Sequence, residues 1–300
     1  MSLLIALLLD AVFGEPKALW NRLPHPAVLM GRCVGWIDRT LNNGAHQRLR
    51  GAFGFGGLVI LFGLLGWALA MVPGIWLDCI VGGILLAQRS LAEHVGAVGK
   101  GLDHSLSDGR HAVSMIVSRD TSAMDQSAVV RSAIESGAEN LSDGVIAPAF
   151  WFAVAGLPGL LIYKITNTAD STVGYRTPRF EAYGWAAARL DDLLNLAPAR
   201  FTAALITLLH ALWPQRSAII ADARRHKSPN AGWPEAAMAR ALGVALAGPR
   251  AYHGQSLDFA YVNPQGRMSL GAADIEAAIR ILWQVWASLL FAAVVIAILF

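Results

Sequence analysis

The chain has 300 residues, of which 55% are hydrophobic and only 15% are charged, against about 25% charged residues in ordinary soluble domains. Its formal net charge of +3 is mild and gives no case for nucleic-acid binding. Three uncharged stretches each have the length of about 20 residues that crosses a bilayer core: Gly51–Leu77, Gly144–Tyr163 and Ile281–Phe300. We therefore expect a single multi-pass membrane domain over residues 1–300.

The predicted elements begin with a short apolar helix over Met1–Leu9, which has neither a basic leader nor a cleavage site and is expected to stay. Gly51–Ala87 is typical of a helical hairpin that turns at Pro73-Gly74. Gly144–Tyr163 is long enough to span, but its central Gly156-Leu157-Pro158-Gly159 would break a helix. This segment is therefore either a kinked span or a re-entrant pair of half-helices.

Two further apolar segments follow in the C-terminal half. Phe201–Gln215 is uncharged but short for a span, whereas Ile281–Phe300 is a clean C-terminal span. The fold class predicted is all-α, a polytopic membrane helical bundle with about four to six membrane-embedded segments. Cys33 and Cys79 lie in or beside apolar segments and are read as reduced thiols, because no CxxC or Cys/His cluster accompanies them.

The polar regions between the spans are all basic, so the positive-inside rule does not distinguish the two faces. We favour the inner cell membrane and a site shared by the polar regions near the cytoplasmic face. These regions contain the groups that are costly near lipid and usually functional, in segments 10–32, 118–144, 167–192 and 222–235.

The richest polar segment runs from Ser118 to Gly144. Ser122 followed by Asp125 resembles a capping box and predicts a helix from about Ala123. Side chains at intervals of four then share one face of that helix: Arg131, Glu135, Glu139 and Asp143. Such a stripe fits a hard cation such as Mg²⁺. On spacing alone we favour the alternative, a solvated helix face with an Arg131–Glu135 pair.

Four other segments combine polar groups in ways that admit both a functional and an ordinary interpretation. The first contains Asn167 and Asp170 on a helix that Gly174 can end. The second has a pair of adjacent acids, the third has a basic run before a turn, and the fourth has a lone histidine between prolines. The ordinary alternatives are a capped helix end, paired surface charge, a membrane-surface basic patch and a loop histidine. The segments are Asn167–Arg176, Ala188–Asp192, Asp222–Glu235 and Pro24–Pro26.

Several nucleotide and hydrolase motifs are absent from the sequence. It has no GxxxxGK[ST], GxSxG, HExxH or GxGxxG pattern. If ATP binds, it binds without a Walker-type loop.

Taken together, long phrases of this chain resemble the adenosylcobinamide-phosphate synthase family of cobalamin biosynthesis. The phrases occur in the family's order from Asp10 to about Pro249. They are Leu9-Asp10 with Gly14-Glu15-Pro16, His25-Pro26 with Leu29-Met30-Gly31, Val117–Thr121, Val130-Arg131 through Ser136, Glu139–Pro148, Asn167–Arg176, Gly184–Asp192, Asp222-Ala223-Arg224 and Ser228–Glu235.

The resemblance implies an enzyme that joins adenosylcobyric acid to (R)-1-amino-2-propanol or its O-phosphate through an amide bond. ATP, as a substrate, and Mg²⁺ are implied as in other carboxylate–amine ligases. A carboxylate must be activated before an amine attacks it, so we expect an acyl phosphate. Association with other late enzymes of the pathway would give a reason for placement in the lipid bilayer.

On this resemblance we assign candidate roles and expect the side chains to converge in one pocket. Phosphoryl transfer needs charge neutralisation, and the amine needs a base. The candidate Mg²⁺ ligands are Glu135, Glu139, Asp143 and Asp170. The candidate clamps for phosphate or carboxylate are Arg119, Arg176 and Arg224, and the candidate bases are His25, Asp191 and Asp192. The candidate contacts to the amide-rich corrin rim are Asn140, Asn167, Tyr175 and Asn230.

Two other classes of protein stay open. Transporters also use broken helices and intramembrane acids, although no inverted repeat is visible here. A membrane sensor of related architecture would show no turnover and would not need the acidic stripe.

Overall fold

The computed structural model describes residues 1–252, 255–257 and 259–299. Phe300, the last residue of the predicted C-terminal span, lies outside the described residues. The elements, in chain order, are α1 (Ser2–Phe13), α2 (Lys17–Trp20), α3 (Pro26–Leu41), α4 (Gln47–Ala70), α5 (Trp76–Leu85), α6 (Gln88–His104), α7 (Leu106–Ser114), α8 (Gln126–Asn140), a π-helix (Leu141–Ile146), α9 (Ala147–Val173), α10 (Trp185–Leu194), α11 (Leu196–Leu209), a 3₁₀ turn (Trp213–Gln215), α12 (Arg216–Arg225), α13 (Gly232–Leu242), β1 (Leu246–Ala247), β2 (Arg250–Tyr252), β3 (Gln255–Leu257), β4 (Tyr261–Val262) and α14 (Ala272–Leu299).

Within the described residues, three helices are long and apolar enough to cross a membrane, and the predicted all-α membrane bundle is confirmed. They are α4, the helical run Gln126–Val173, and α14. The bent pair of α10 and α11, which meet at 41°, would make a fourth span, and it contains the marginal segment Phe201–Gln215 in part. The apolar N-terminal helix is present as α1, and α4 and α5 form the predicted hairpin around Pro73-Gly74.

The chain forms two compact units, each made of separate stretches of sequence. The first unit comprises Met1–Ala87, Ala147–Leu196 and residues 293–299. The second unit comprises Gln88–Ile146 and the described residues of Ala197–Ala292. The prediction of one membrane domain over 1–300 stays a prediction.

The core of the first unit is built on the pairing of α4 with α9, with α3 and α10 also packed on α9 and α1 packed on α5. The predicted break in α9 is present, because Ala155 and Gly156 leave helical geometry and Gly156 has φ 61°. Helix α4 approaches this break closely. A Cβ added at Gly66 would lie 2.7 Å from the backbone of Pro158, so glycine is required there for the contact.

The cysteines of the first unit are both free thiols, as the sequence predicts. Cys79 is buried and Cys33 is half-buried.

The second unit surrounds α8, which packs on α6, α7, α13 and β1. Helices α12 and α13 pair with each other, and β1 pairs with β4 in the register Leu246↔Val262 and Ala247↔Tyr261. A second antiparallel ribbon joins β2 and β3. These ribbons were not predicted, because strands of two or three residues are too short to show an alternating pattern.

Helix α8 begins three residues later than predicted. Asp125, and not Ser122, caps it, since the Asp125 carboxylate accepts the Ala128 N–H at 2.7 Å. The Ser122 N–H and hydroxyl instead bind the Asp120 carboxylate, at 2.9 and 2.7 Å. The capping box is therefore corrected to an ordinary Asp N-cap.

Candidate functional site

The second unit contains a cavity of about 590 Å³. Two of the polar segments singled out in the sequence line it: one runs from Ile116 to Asn140, and the other runs through α12 into α13. A third stretch, around β4, closes it. The lining residues are Ile116, Val117, Ser118, Arg119, Ser136, Glu139, Asn140, Asp222, Arg225, His226, Lys227, Ser228, Glu235, Ala247, Phe259, Ala260, Tyr261 and Val262.

One wall of this cavity carries the cations. Arg225 and Lys227 are exposed and line it, and Arg119 reaches it from the opposite segment. Arg224, the predicted clamp, is exposed but is not a lining residue. Neighbouring residues on a helix point about 100° apart, which explains why Arg225 occupies the position expected of Arg224.

Glu135, a predicted metal ligand, uses both carboxylate oxygens within the fold. Oε2 accepts a hydrogen bond from Arg119 at 2.8 Å, and Oε1 accepts the Ala247 N–H at 2.6 Å. Its side chain is 2% exposed. The ion pair therefore joins α8 to the segment before it and to β1, and it positions Arg119 at the cavity. The alternative Arg131–Glu135 pair is not formed, since Arg131 donates to the carbonyls of Ala245 and Met268.

Glu139 and Asn140 lie on the cavity and are exposed. Asn140 Nδ2 donates to the Ser136 carbonyl at 2.9 Å. The π-helix begins at the next residue, and single π-turns inside α-helices are frequent at functional sites. Asp143 lies within the π-helix and does not line the cavity. The four-residue stripe is thus not one surface: only Glu139 of the predicted metal ligands faces this cavity.

Asp222 joins three segments of the cavity wall. Its Oδ2 accepts Arg240 at 2.7 Å and the Asn263 N–H at 3.0 Å, and Arg225 lies 3.7 Å from Oδ1. The side chains of Asp222 and Arg240 are 6% and 7% exposed. This buried ion pair connects α12 to α13 and to the segment after β4.

The turn between α12 and α13 is held by its own polar side chains. The Ser228 hydroxyl accepts the N–H groups of Asn230 and Ala231, both at 3.2 Å. Asn230 is buried and accepts Arg200 at 3.3 Å. The predicted corrin contact Asn230 therefore supports the turn and is not a cavity residue. His226 Nδ1 accepts the Ser228 N–H at 3.1 Å, and its Nε2 lies 3.7 Å from Glu235.

Aromatic side chains also line the cavity, beside its cations. The Lys227 ammonium lies 4.3 Å from the centre of the Phe259 ring, and the Arg131 guanidinium lies 5.5 Å from that of Tyr261. These distances are those of cation–π contacts. The cavity thus combines cations, the three carboxylates of Glu139, Asp222 and Glu235, and aromatic faces.

The first unit brings together a separate group of predicted residues at the junction of α9 and α10. Buried Asp191 accepts Asn167 at 3.3 Å and Asn195 at 3.0 Å. Asp170 lies close enough to Asp191 and Asp192 for their charges to repel. Among the described residues, no three His, Cys, Asp or Glu side chains are arranged to hold a metal ion.

Cations reach this acidic group from its edge. Asp192 lies 3.9 Å from Arg189, and Arg176 is near enough to attract it. Arg176 and Tyr175 are both exposed, beyond the end of α9. The predicted residues therefore form two groups, each within its own unit, and the prediction of a single shared pocket stays a prediction.

His25, a candidate base, has both ring nitrogens engaged in the first unit. Nδ1 accepts the Ala27 N–H at 3.2 Å, which makes His25 the N-cap of α3. Nε2 lies 3.2 Å from the Ile84 carbonyl and is assigned the proton for that reason. Burial lowers the pKa of His25 below 6.5. These contacts support a neutral structural histidine more directly than a base.

The lowered pKa of His25 predicts a pH-dependent stability. The unfolded chain binds the proton more tightly than the folded one, so stability should fall as pH drops below about 6.5. His25→Asn keeps an N-cap acceptor without a titrating ring. We expect its thermal midpoint in detergent to vary less than that of the parent between about pH 7 and pH 5. Equal slopes for the two proteins would contradict the assignment.

The sequence interpretation missed the lining residues Phe259 and Tyr261, and it missed Arg240 and Asn263, which bind the lining residue Asp222. The aromatic pair had a faint signal, because the two rings alternate with Ala260 and Val262 as on one face of a strand. Nothing local marks Arg240, whose partner Asp222 is 18 residues away.

Comparison with known proteins shows the family of the chain. The family model "CobD/Cbib protein" matches residues 3–282. Three relatives are each described as cobalamin biosynthesis protein CobD. The one from Rhizobium meliloti is 48% identical over 97% of this chain and 95% of its own, and that from Brucella suis is 45% identical over 93% and 91%. The relative from Rhodobacter capsulatus is 46% identical over 83% and 82%. No solved structure matches significantly. The chain therefore belongs to the CobD/Cbib family of cobalamin biosynthesis proteins.

Proposed function

We propose that this chain is a carbon–nitrogen ligase of cobalamin biosynthesis, an adenosylcobinamide-phosphate synthase. It joins the propionate of adenosylcobyric acid to (R)-1-amino-2-propanol or its O-phosphate, with ATP as the source of activation. We place it in the inner membrane with the site towards the cytoplasm, in association with other late enzymes of the pathway.

One observation carries the proposal: two separate segments that resemble the synthase family line the same cavity. Arg119, Glu139 and Asn140 come from one of them, and Asp222, Ser228 and Glu235 come from the other. Arg225 and Lys227 lie between the two matching phrases of the second segment and also line the cavity. Cations that converge on a cavity are what phosphoryl transfer needs, because its catalysis is mainly positioning and charge neutralisation.

The proposed chemistry uses these groups in two stages. The corrin carboxylate takes a phosphoryl group from ATP, and ADP leaves. The neutral amine then attacks the acyl phosphate, inorganic phosphate leaves, and the amine gives up a proton. Arg119, Arg225 and Lys227 hold the anionic oxygens during both stages. The Glu135 carboxylate keeps Arg119 oriented towards the cavity.

The cavity suits a magnesium ion that is held mainly by its substrate. Mg²⁺ commonly takes one or two protein carboxylates and completes its shell with phosphate oxygens and water. Glu139 is the exposed carboxylate on the lining, whereas Asp222 and Glu235 are buried in it. Mg²⁺ when bound would neutralise phosphate charge. Glu139 would hold it, and Glu135, bound within the fold, would not.

Incubation of the purified full-length protein with adenosylcobyric acid, aminopropanol phosphate and MgATP tests the proposal directly. We expect the corrin to gain the mass of the amine less one water, with release of ADP. Uptake of a corrin by proteoliposomes without a change in its mass would instead identify a transporter. A preparation that binds the substrates and forms no amide would reject the ligase proposal.

The neighbouring arginines of α12 provide a matched comparison. Arg225 lines the cavity and Arg224 does not. We expect Arg225→Met to lower the rate of amide formation at least about tenfold more than Arg224→Met, because loss of a charge-stabilising donor costs about 10²–10³-fold. Rates should be compared at saturating ATP and corrin. Equal effects, or a larger effect at Arg224, would contradict the assignment of the cationic wall.

A further inference from the structure

We propose that the cavity of the second unit is a nucleotide site in which Phe259 receives the base and the cationic wall receives the phosphates. This inference rests on the proposed function and assigns one of its substrates to a place. It predicts that only the reacting carboxylate of the corrin enters this cavity and that the rest of the corrin binds elsewhere.

The size of the cavity supports a ligand of nucleotide size. Its volume of about 590 Å³ is in the range of about 300–1,000 Å³ that holds small-molecule ligands. An adenosylated corrin, with a macrocycle, a lower set of amide side chains and an attached nucleoside, is far larger than a nucleotide. The cavity therefore has the size for ATP and is too small for the whole corrin.

The cavity lining supplies groups for both an anionic and a planar part of a ligand. Arg119, Arg225 and Lys227 supply three cations, and Ser118 and Ser228 supply hydroxyl groups. Of the three carboxylates on the lining, Asp222 is bound to Arg240, Glu235 is buried, and Glu139 is the one assigned to Mg²⁺. Phe259 and Tyr261 supply aromatic rings, and Lys227 lies 4.3 Å from the Phe259 ring. A polyphosphate fits the cations, and a purine fits the Phe259 ring beside them.

The two aromatic rings are held differently. Tyr261 packs against the backbone of Gly248, where an added Cβ would collide with the ring, and Arg131 approaches it at 5.5 Å. Both rings are half-exposed, and Lys227 lies against Phe259 at 4.3 Å. The contact with the Gly248 backbone fixes Tyr261 in the wall. Phe259, whose ring lies beside a cation of the lining, is therefore the ring assigned to the base. Lys227 joins the two halves of the site, because it touches the aromatic ring and lies in the cationic wall.

Binding of ATP and of inorganic tripolyphosphate to the full-length protein in detergent tests this inference, with displacement of a fluorescent ATP analogue as the readout. We expect Phe259→Leu to weaken ATP binding about tenfold, the size of one lost base-stacking contact, and to leave tripolyphosphate binding unchanged. Phe259→Tyr, which keeps an aromatic face, should bind ATP with the affinity of the parent. Arg225→Met should weaken the binding of both ligands.

Phe291→Leu serves as the matched control, since Phe291 is 70% exposed on α14 and does not line the cavity; it should bind both ligands as the parent does. The inference is overturned if the parent binds neither ligand. It is also overturned if Phe259→Leu binds ATP normally, or loses ATP and tripolyphosphate equally.

Mass measurement of the corrin on the same preparations separates this inference from the proposed function. Amide formation together with ATP binding that is insensitive to Phe259 would reject only the nucleotide site. The expected binding pattern without amide formation would reject the ligase and keep the site.

Discussion

Arg240→Met is expected to destabilise the protein by about 3–5 kcal/mol, because it leaves the Asp222 carboxylate buried without its guanidinium. The Asn263 N–H would still bind this carboxylate, but a backbone dipole does not neutralise a charge. Arg225 lies 3.7 Å from the other carboxylate oxygen, but its side chain is 66% exposed, so it compensates the buried charge only in part. The thermal midpoint in detergent measures the effect.

Two further variants show whether the buried charge is the cause. Adding Asp222→Asn to Arg240→Met removes the uncompensated charge and should recover part of the loss, which a double-mutant cycle would report as coupling. Arg89→Met is the surface control, because the exposed Arg89–Glu93 pair should contribute only about 0–1 kcal/mol. A loss at Arg240 no larger than that at Arg89 would contradict the prediction.

Glu139→Gln is expected to lower amide formation by about a hundredfold or more while the protein still inserts in the membrane. The change removes one negative charge and keeps the shape of the side chain. Glu139 is exposed on the cavity, so its replacement should alter stability by no more than about 0.5 kcal/mol. Single-turnover rates at several Mg²⁺ concentrations would measure the effect.

Glu276→Gln is the control for this variant, since Glu276 is an exposed carboxylate of α14 that does not line the cavity. It should form amide at the parent rate. If Glu139 holds Mg²⁺, the Glu139→Gln variant should also require more Mg²⁺ for half-maximal rate. Full activity in Glu139→Gln would remove this residue from the site.

The membrane-embedded elements could be predicted because they depend on composition and on strong local breakers. Uncharged length was enough for α4 and α14, and the Gly-Leu-Pro-Gly run was enough for the break in α9. The start of α8 could not be settled in the same way. Ser122 and Asp125 are both good N-cap residues, and the choice between them depends on Asp120, which binds the Ser122 hydroxyl.

Candidate site residues could be predicted from residue type and helical spacing. Their roles could not be predicted where they depend on partners that are distant in the sequence. Glu135 and Glu139 are equivalent by spacing, so both were assigned to metal. Their roles differ because Glu135 binds Arg119, 16 residues away, and the N–H of Ala247, 112 residues away. No helical period contains that information. The same is true of Phe259, which meets the basic run only through the pairing of β1 with β4.

Because each unit is built from distant stretches of sequence, the order of synthesis decides when each unit can be completed. The first unit has most of its residues once Leu196 has left the ribosome, whereas the nucleotide-sized cavity needs Phe259–Val262. Until β4 is synthesised, α8 and the basic end of α12 are present without the aromatic residues that line the cavity with them. A nascent chain that ends between these points would contain α4 and α9 but neither the aromatic lining residues nor α14, so it could enter the membrane before its cavity is complete.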